Sequence, residues 1–346
     1  MKIVIIGGAG FIGSNLALEL VKQGHQVVVI DNLSAQVHGE DPSKSYSYNL
    51  IKDKVQFVKA DITTNRAYNI FKKTSFDSVI FLAAETGTGQ SMYQAKKYCD
   101  TNISGLALFN DLICNKKIKV PGQIVLSSSR AVYGDAELDK DGNPISTKED
   151  SKINPLSIYA VTKLAQEYIL FSGFKGISVC ALRFQNVYGP GQSLNNPYTG
   201  ILSIFSKAIL NKKPIQVFED GQMSRDFVYI DDIVDAITLC IGNEAAKGKV
   251  FNVGTGKGTT VIEVVNTLVN SYKIKVPVII TGEKREGDIR HNFADIKNIS
   301  DIGFVPKIDF IEGIKRFCNW VKTQQLELAD QYEQSLQELR EKNLLK

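Results

Sequence analysis

The chain has 346 residues, of which 43% are hydrophobic, so it can bury a large core arranged as one large domain or two ordinary ones. Its 41 basic and 37 acidic residues leave a net charge of +4 without a long block of like charge, which argues against a nucleic-acid partner. The N-terminus has no signal-peptide pattern, and no apolar run approaches the roughly 20 residues that span a bilayer. We therefore expect a cytoplasmic protein with no membrane partner.

The first feature that carries chemistry is a glycine-rich turn near the N-terminus. Apolar residues 3–6 predict a strand buried on both faces, and the apolar spacing over 11–20 predicts a helix. Between them, Gly7 allows a tight turn, Gly10 lets the backbone approach a pyrophosphate, and Gly13 allows close packing of helix on strand. The helix N-terminus faces the negative charge of the phosphates, so this turn predicts a phosphate site.

Asp31 ends the next apolar run, which covers residues 26–30. A carboxylate at that position can accept hydrogen bonds from the adenosine ribose hydroxyls and would repel a 2′-phosphate. An ordinary glycine-rich turn is the alternative, but strand, turn, helix and acidic residue stand in register. The sequence therefore predicts NAD as the cofactor, with NADP disfavoured.

Further apolar runs alternate with helical patterns and predict strands at 56–60, 78–84, 123–127 and 177–184. This alternation predicts an α/β fold with a doubly wound parallel sheet of the Rossmann type, in which ligands gather at the carboxyl ends of the strands. Five widely spaced cysteines, mostly in apolar segments, are typical of reduced thiols, and no metal-binding cluster is visible.

The pattern loosens after about residue 185, which predicts a smaller C-terminal α/β lobe for the substrate. The tail carries apolar residues at steps of three or four among charged ones, which predicts an amphipathic helix. We expect an NAD-binding domain over 1–185 with a return near 223–255, a substrate lobe over 186–222 and 256–321, and the tail helix over 322–346.

Tyr159 and Lys163 stand four residues apart on a predicted helix, for which Asn154-Pro155 is the expected cap and first turn. An ammonium beside a phenol lowers the phenol pKa from about 10, although such a pair is common on ordinary helices. The serines at 127–129 end the preceding predicted strand and place a hydroxyl at the same sheet edge. A site for removing a hydride from a secondary alcohol needs three such groups. Ser129 would orient the substrate hydroxyl, a tyrosinate would be the base, and a lysine would lower the pKa of the tyrosine.

On these and further segments, the chain resembles the extended short-chain dehydrogenase/reductase family, and within it the NAD-dependent nucleotide-sugar epimerases and dehydratases. The resemblance covers nearly the whole length. Its matching segments are 7–13, 31–32, 61–62, 82–84, 102, 127–134, 159–163, 183–190, 225–232, 252–254 and 285–288.

The resemblance implies a role for each matching position. The catalytic residues are Ser129, Tyr159 and Lys163. The NAD-binding residues are Gly7, Gly10, Phe11, Ile12, Gly13, Asp31, Asn32, Asp61, Ile62, Leu82, Ala83, Ala84, Asn102, Ser127, Tyr159 and Lys163. The residues for a nucleotide-diphosphate sugar are Glu85, Thr86, Ser129, Arg130, Asn186, Arg225, Arg285 and Asp288. Asn186, Arg225 and Arg285 match positions that hold the diphosphate, a task suited to the planar fork of arginine.

The two residues after Ser129 bear on the reaction. Dehydratases of the family carry consecutive Asp-Glu there as an acid and a base, whereas this chain has Arg130-Ala131. Elimination would lack an obvious proton donor, so the resemblance implies epimerisation at C4 through a transient 4-keto sugar. The alternatives are a 4-reductase or an oxidase that releases its coenzyme each turn, a dehydratase of the same family, and an idle NAD-binding regulator. Retention of the catalytic set argues against the regulator.

The sugar-facing loops carry the information on substrate. The loop at 84–91 lacks the arginine that uronic-acid epimerases usually have, and Gly191 stands where those enzymes often have a basic residue, so a charged sugar would lack a partner. A resemblance to the dTDP-L-rhamnose 4-epimerases lies in residues 85–93, 191–193 and 196–200 and in the C-terminal helix. UDP-glucose/galactose and UDP-uronate enzymes are the alternatives. Glu85 either bonds a sugar hydroxyl or orients Ser129 or Gln90. Many relatives pair through two long helices, here 95–114 and 157–171, so we expect a homodimer.

Overall fold

The computed structural model describes residues 1–194, 196, 198, 200–324 and 331–346, with the backbone alone for residue 331. The strands are β1 Lys2–Ile6, β2 Gln26–Asp31, β3 Gln56–Lys59, β4 Ser78–Phe81, β5 Gln123–Ser129, β6 Ser178–Phe184, β7 Asn186–Tyr188, β8 Ile215–Val217, β9 Ser224–Arg225, β10 Phe227–Tyr229, β11 Val250–Val253, β12 Thr259–Thr260, β13 Val278–Ile280 and β14 His291–Asn292. The α-helices are α1 Phe11–Lys22, α2 Ala35–His38, α3 Tyr46–Ile51, α4 Ile70–Lys73, α5 Thr88–Ser91, α6 Ala95–Tyr98, α7 Gly105–Cys114, α8 Ile158–Gly173, α9 Ile201–Leu210, α10 Ile230–Cys240, α11 Val261–Tyr272, α12 Lys297–Ser300, α13 Phe310–Val321 and α14 Gln331–Glu341.

Seven parallel strands form the main sheet, in the order β11-β6-β5-β4-β1-β2-β3. The chain runs outward from β1 through β2 to β3, then returns to β4 on the other side of β1. Ligands of such sheets bind where the strand order reverses, outside the carboxyl ends of the strands. This topology confirms the predicted doubly wound α/β fold and places that crevice between β1 and β4.

The strands of this sheet are apolar because both of their faces are covered. Ile3 and Ile5 belong to one hydrophobic core and Val4 and Ile6 to another, and all four side chains are fully buried. Burial of each such side chain contributes about 1.5–3 kcal/mol relative to its exposure. The rigid sheet that results holds the ends of β1, β2, β4 and β5 in fixed relative positions.

A second lobe is built from shorter strands and helices of the C-terminal half. β8 pairs with β13, and β9 lies between β12 and β14, while α9 and α13 pack on α11. Between these segments the chain returns to the main sheet, where β11 pairs with β6. β9, β14 and the 281–290 loop approach the carboxyl edge of the main sheet from the side of this lobe.

Two local predictions were wrong. Ser157, not Asn154, caps α8, because its hydroxyl accepts from the Ala160 amide at 3.2 Å. The helix therefore begins at Ile158.

The predicted tail helix over 322–346 was also wrong in its extent. Residues 322–324 form a turn, and α14 covers Gln331–Glu341; the predicted positions Leu326 and Ala329 lie outside the described residues. The last residues are extended, and Lys346 exchanges two backbone hydrogen bonds with Lys284. This pairing satisfies backbone groups that a helix would have satisfied internally.

Candidate active site

A cavity of about 460 Å³ lies at the carboxyl edge of the main sheet and extends towards the second lobe. It collects most of the residues predicted for cofactor and substrate. Those that line it are Gly7, Gly10, Phe11, Ile12, Gly13, Asp31, Asn32, Ile62, Leu82, Ala83, Ala84, Glu85, Thr86, Ser127, Ser129, Arg130, Tyr159, Lys163 and Asn186.

The glycine turn leaves room that side chains would fill. A Cβ on Gly7 would stand 2.5 Å from the Ala83 amide nitrogen, and one on Gly13 would stand 2.5 Å from the Gly8 Cα. Gly10 has only the Gly7 carbonyl oxygen near its Cβ position, at 3.5 Å, and faces the cavity. No side chain caps the N-terminus of α1, whose amides therefore remain available to a pyrophosphate. These features fit a dinucleotide.

Asp31 lines the cavity at the end of β2, and two backbone amides fix its carboxylate. Its Oδ2 accepts from the Ala9 amide at 3.0 Å, and its Oδ1 accepts from the Leu33 amide at 2.8 Å. His38 Nε2 lies 3.8 Å from Oδ1, and burial lowers the pKa of this histidine, so it is neutral at pH 7. Asp31 thus presents a negative charge that the described residues do not cancel.

Ser129, Tyr159 and Lys163 converge on this cavity from two elements. Ser129 ends β5, and its Oγ accepts from the Ala131 amide at 3.2 Å. Burial raises the pKa of Tyr159, while a hydrogen bond with Ser129 and the charge of Arg130 lower it. The tyrosine is thus placed to exchange a proton with a hydroxyl beside Ser129.

Lys163 lies one turn after Tyr159 and is buried. Its Nζ donates to Gln166 Oε1 at 2.7 Å. Burial lowers the pKa of Lys163 to about 7, and the nearby charge of Glu167 opposes this change. Glu167 is itself held by Arg183, whose Nη2 donates to Oε2 at 2.7 Å.

The loop after β4 is tied to a helix that contains a π-helical turn at Cys99–Ser104. Asn102 in that turn is buried and bonds both backbone polar groups of Glu85, at 2.7 and 3.1 Å. The Glu85 carboxylate lies 3.1 Å from Lys97 Nζ. Two roles were predicted for Glu85: binding a sugar hydroxyl, or orienting Ser129 or Gln90. The contact of its carboxylate with Lys97 does not support the second role.

The comparisons with known proteins agree with this geometry. The model of the NAD dependent epimerase/dehydratase family matches residues 3–254. The chain belongs to this family. A dTDP-L-rhamnose 4-epimerase of Burkholderia thailandensis is 34% identical over 349 residues, which cover 92% of this chain and 94% of that protein.

Two solved structures are also similar. The UDP-glucose 4-epimerase of Thermotoga maritima with UDP-glucose has a TM-score of 0.80 and 27% identity, over 93% of this chain and 99% of the other. The UDP-glucuronic acid 4-epimerase of Bacillus cereus, in complex with UDP-glucuronic acid and NAD, has a TM-score of 0.81 and 26% identity over the same shares. Family membership and the glycine cradle together identify NAD as the cofactor.

Five predicted residues lie outside the cavity lining: Asp61, Asn102, Arg225, Arg285 and Asp288. Asp61 accepts from Asn32, which does line the cavity, at 3.1 Å. Arg225 donates to the carbonyl oxygens of Ser224 and Arg290, both at 2.9 Å. Arg285 and Asp288 bond each other on the 281–290 loop. Roles in direct binding remain predictions for these residues.

The sequence analysis missed lining residues on the segment after β2 and on the helix that contains the π-helical turn. They are Ser34, Gln36, Val37, His38 and Thr101. The segment after β2 could have been found from its position, because it follows a strand whose carboxyl end reaches the crevice. Within the described residues, no helix is long and apolar enough to cross a membrane, and no cluster suits a metal ion.

Proposed function

We propose that the protein is a nucleotide-sugar 4-epimerase that interconverts dTDP-L-rhamnose and dTDP-6-deoxy-L-talose through a transient 4-keto sugar. The observation that carries the proposal is the cavity itself, in which Ser129, Tyr159 and Lys163 lie beside the glycine cradle with Arg130-Ala131 at the end of β5. This arrangement supports oxidation and reduction at one carbon.

Each residue has a defined task in this mechanism. Ser129 donates a hydrogen bond to the sugar O4, and Tyr159 takes the O4 proton as a general base. The bound NAD supplies the chemistry of accepting the C4 hydride and giving it back. Lys163, whose Nζ donates to Gln166, would hold the ribose of the dinucleotide and would stabilise the tyrosinate by its charge. Tyr159 returns the proton after the 4-keto sugar has turned in the cavity.

The acidic residues of the cavity do not suit an elimination. Asp31 and Glu85 are the carboxylates among its described lining residues. Asp31 is held at the adenosine end by two backbone amides, and Glu85 is paired with Lys97. The position next to Ser129, where a dehydratase needs an acid, holds an arginine.

The choice of sugar rests on the resemblance of residues 85–93, 191–193 and 196–200 and of the C-terminal helix, and on the Burkholderia relative, a dTDP-L-rhamnose 4-epimerase. The similar structures of a UDP-glucose and a UDP-glucuronic acid 4-epimerase make those substrates the alternatives. The sequence argument that a charged sugar would lack a partner is weakened by Arg130, because this cation lines the cavity and a sugar carboxylate could reach it.

The test is incubation of the purified protein with dTDP-L-rhamnose, UDP-glucose, UDP-galactose and UDP-glucuronate, each followed by NMR. We expect C4 inversion of dTDP-L-rhamnose to a mixture of epimers, with NAD retained by the protein and no net change at the nicotinamide absorbance band. Inversion of a UDP-sugar alone would contradict the proposed substrate. Accumulation of a keto or reduced sugar would contradict epimerisation.

We also propose that two copies pair through α7 and α8. α8 carries Val161 and Tyr168 seven residues apart, on one face, with 45% and 66% exposure. An apolar face of this kind is stabilised by a second copy that covers it.

A further inference from the structure

Arg130 is a charged side chain of the cavity with an unused donor. It follows Ser129 directly and is half-buried. Its Nε donates to Asn186 Oδ1 at 2.8 Å, but its Nη1 is shielded from solvent and has no partner in the described part of the chain. A buried donor without an acceptor costs about 1–3 kcal/mol, so the site favours a ligand that brings an oxygen acceptor.

The charges around Arg130 identify the acceptor. Arg285 is neutralised by Asp288, which it contacts through Nε at 2.9 Å and Nη2 at 2.8 Å. Arg225 bonds carbonyl oxygens instead, and the described residues give neither Arg225 nor Arg130 an ion pair with a carboxylate. Asp226 lies nearby, but it is buried and accepts from the amides of residues 255 and 256. Neither guanidinium therefore has an ion pair among the described residues, and Asp226 and Asp288 act on Arg130 only through their nearby charge.

Arg130 keeps its charge at neutral pH. Burial and the neighbouring charge of Arg225 lower the pKa of Arg130 to about 9, which is still above the pH of the cell interior. The site therefore holds a full positive charge next to the end of β5, within range of Tyr159, whose pKa it lowers.

We propose that Arg130 binds the diphosphate of the nucleotide sugar together with Arg225, and so links the phosphates to the strand end that carries Ser129. The inference rests on the proposed class of substrate. Two guanidinium groups without an ion pair suit the two negatively charged phosphates of a diphosphate, and the planar fork of arginine pairs with phosphate oxygens. Asn186, which Arg130 holds, is a residue that the family resemblance assigns to the same diphosphate.

The test measures binding without turnover. Calorimetry on the NAD-loaded protein gives the dissociation constants of dTDP, UDP, dTMP and UMP for the unmodified protein, Arg130→Gln and Arg130→Lys. The matched control is Arg290→Gln, because Arg290 is paired with Glu219 and Asp220 and lies outside the cavity lining. Retained NAD content shows that each variant is folded.

We expect Arg130→Gln to weaken the better-bound nucleoside diphosphate by roughly 10- to 100-fold, the effect of losing a hydrogen-bonded charge. The corresponding monophosphate changes little, Arg130→Lys gives an intermediate loss, and Arg290→Gln matches the unmodified protein. Unchanged diphosphate binding in Arg130→Gln would overturn the proposal. These readouts do not involve C4 inversion, so a failure of epimerisation is distinguishable from a failure of this inference.

Discussion

Asp31 is the residue at which cofactor choice can be tested, because two backbone amides fix its carboxylate. A 2′-phosphate of NADP would be repelled by the Asp31 carboxylate, which cannot rotate away because both of its oxygens are hydrogen-bonded. We expect the unmodified protein to prefer NAD strongly and Asp31→Ala to reduce that preference by about 10-fold or more, measured as the ratio of the two dissociation constants. Asp31→Asn keeps the size of the side chain and one acceptor oxygen for one of the two amides but removes the charge, so it helps to separate loss of charge from loss of the side chain. Equal binding of NAD and NADP by the unmodified protein would refute the assignment.

Tyr159 can be tested by removing one atom. Tyr159→Phe keeps the buried ring and removes the proton acceptor, so we expect turnover to fall by roughly 100-fold or more with little change in substrate affinity. Tyr168→Phe is the matched control, since its side chain lies on the same helix and is 66% exposed. Steady-state kinetics on both variants provide the measurement. Near-normal turnover in Tyr159→Phe would remove this residue from the mechanism.

At the scale of elements, α14 holds two loops against the second lobe. Glu338 Oε2 accepts from the hydroxyls of Tyr93, at 2.7 Å, and Tyr198, at 3.2 Å. Tyr198 stands between Asn196 and Gly200, which both line the cavity. The helix therefore supports the cavity wall, and none of its described side chains is part of the lining.

Removal of the two hydrogen bonds to Glu338 should weaken substrate binding more than it slows turnover. We expect Glu338→Ala to raise the KM for the nucleotide sugar by roughly 3- to 10-fold, the effect of about one hydrogen bond, with NAD content unchanged. Glu341→Ala is the control, because Glu341 is exposed and bonds Gln337 on its own helix. A change of KM equal in both variants, or absent from both, would show that the Tyr93 and Tyr198 contacts do not shape the cavity.

The elements that the sequence predicts well are those with a local cause. The strand, glycine turn and helix at the N-terminus follow from buried apolar runs and from backbone positions that exclude a Cβ, as at Gly7. The pairing of Lys346 with Lys284 and the contact of Glu85 with Lys97 have no local signature, since they depend on how distant segments meet. The cap of α8 was misplaced because both Asn154 and Ser157 can cap, and tertiary contacts choose between them.

The whole molecule is expected to be a dimer if the exposed apolar face of α8 is covered by its equivalent in a second copy. We predict that size-exclusion chromatography with light scattering gives twice the mass of the chain, and that Val161→Glu combined with Tyr168→Glu gives a monomer that retains NAD. The charges would have to be buried in the pair, which is unfavourable without partners. A monomeric unmodified protein, or a dimer unaffected by both substitutions, would contradict this assembly.

The central claim, that one carbon is oxidised and reduced within a single cavity, is tested most directly by isotopic label. dTDP-L-rhamnose deuterated at C4 is incubated with the protein in ordinary water, and the unlabelled sugar is incubated in deuterium oxide. We expect the label to remain at C4 in both epimers and no solvent deuterium to enter C5, because the residues beside Ser129 include no carboxylate to exchange that proton. Loss of the C4 label to solvent, or deuterium at C5 of the product, would contradict the account.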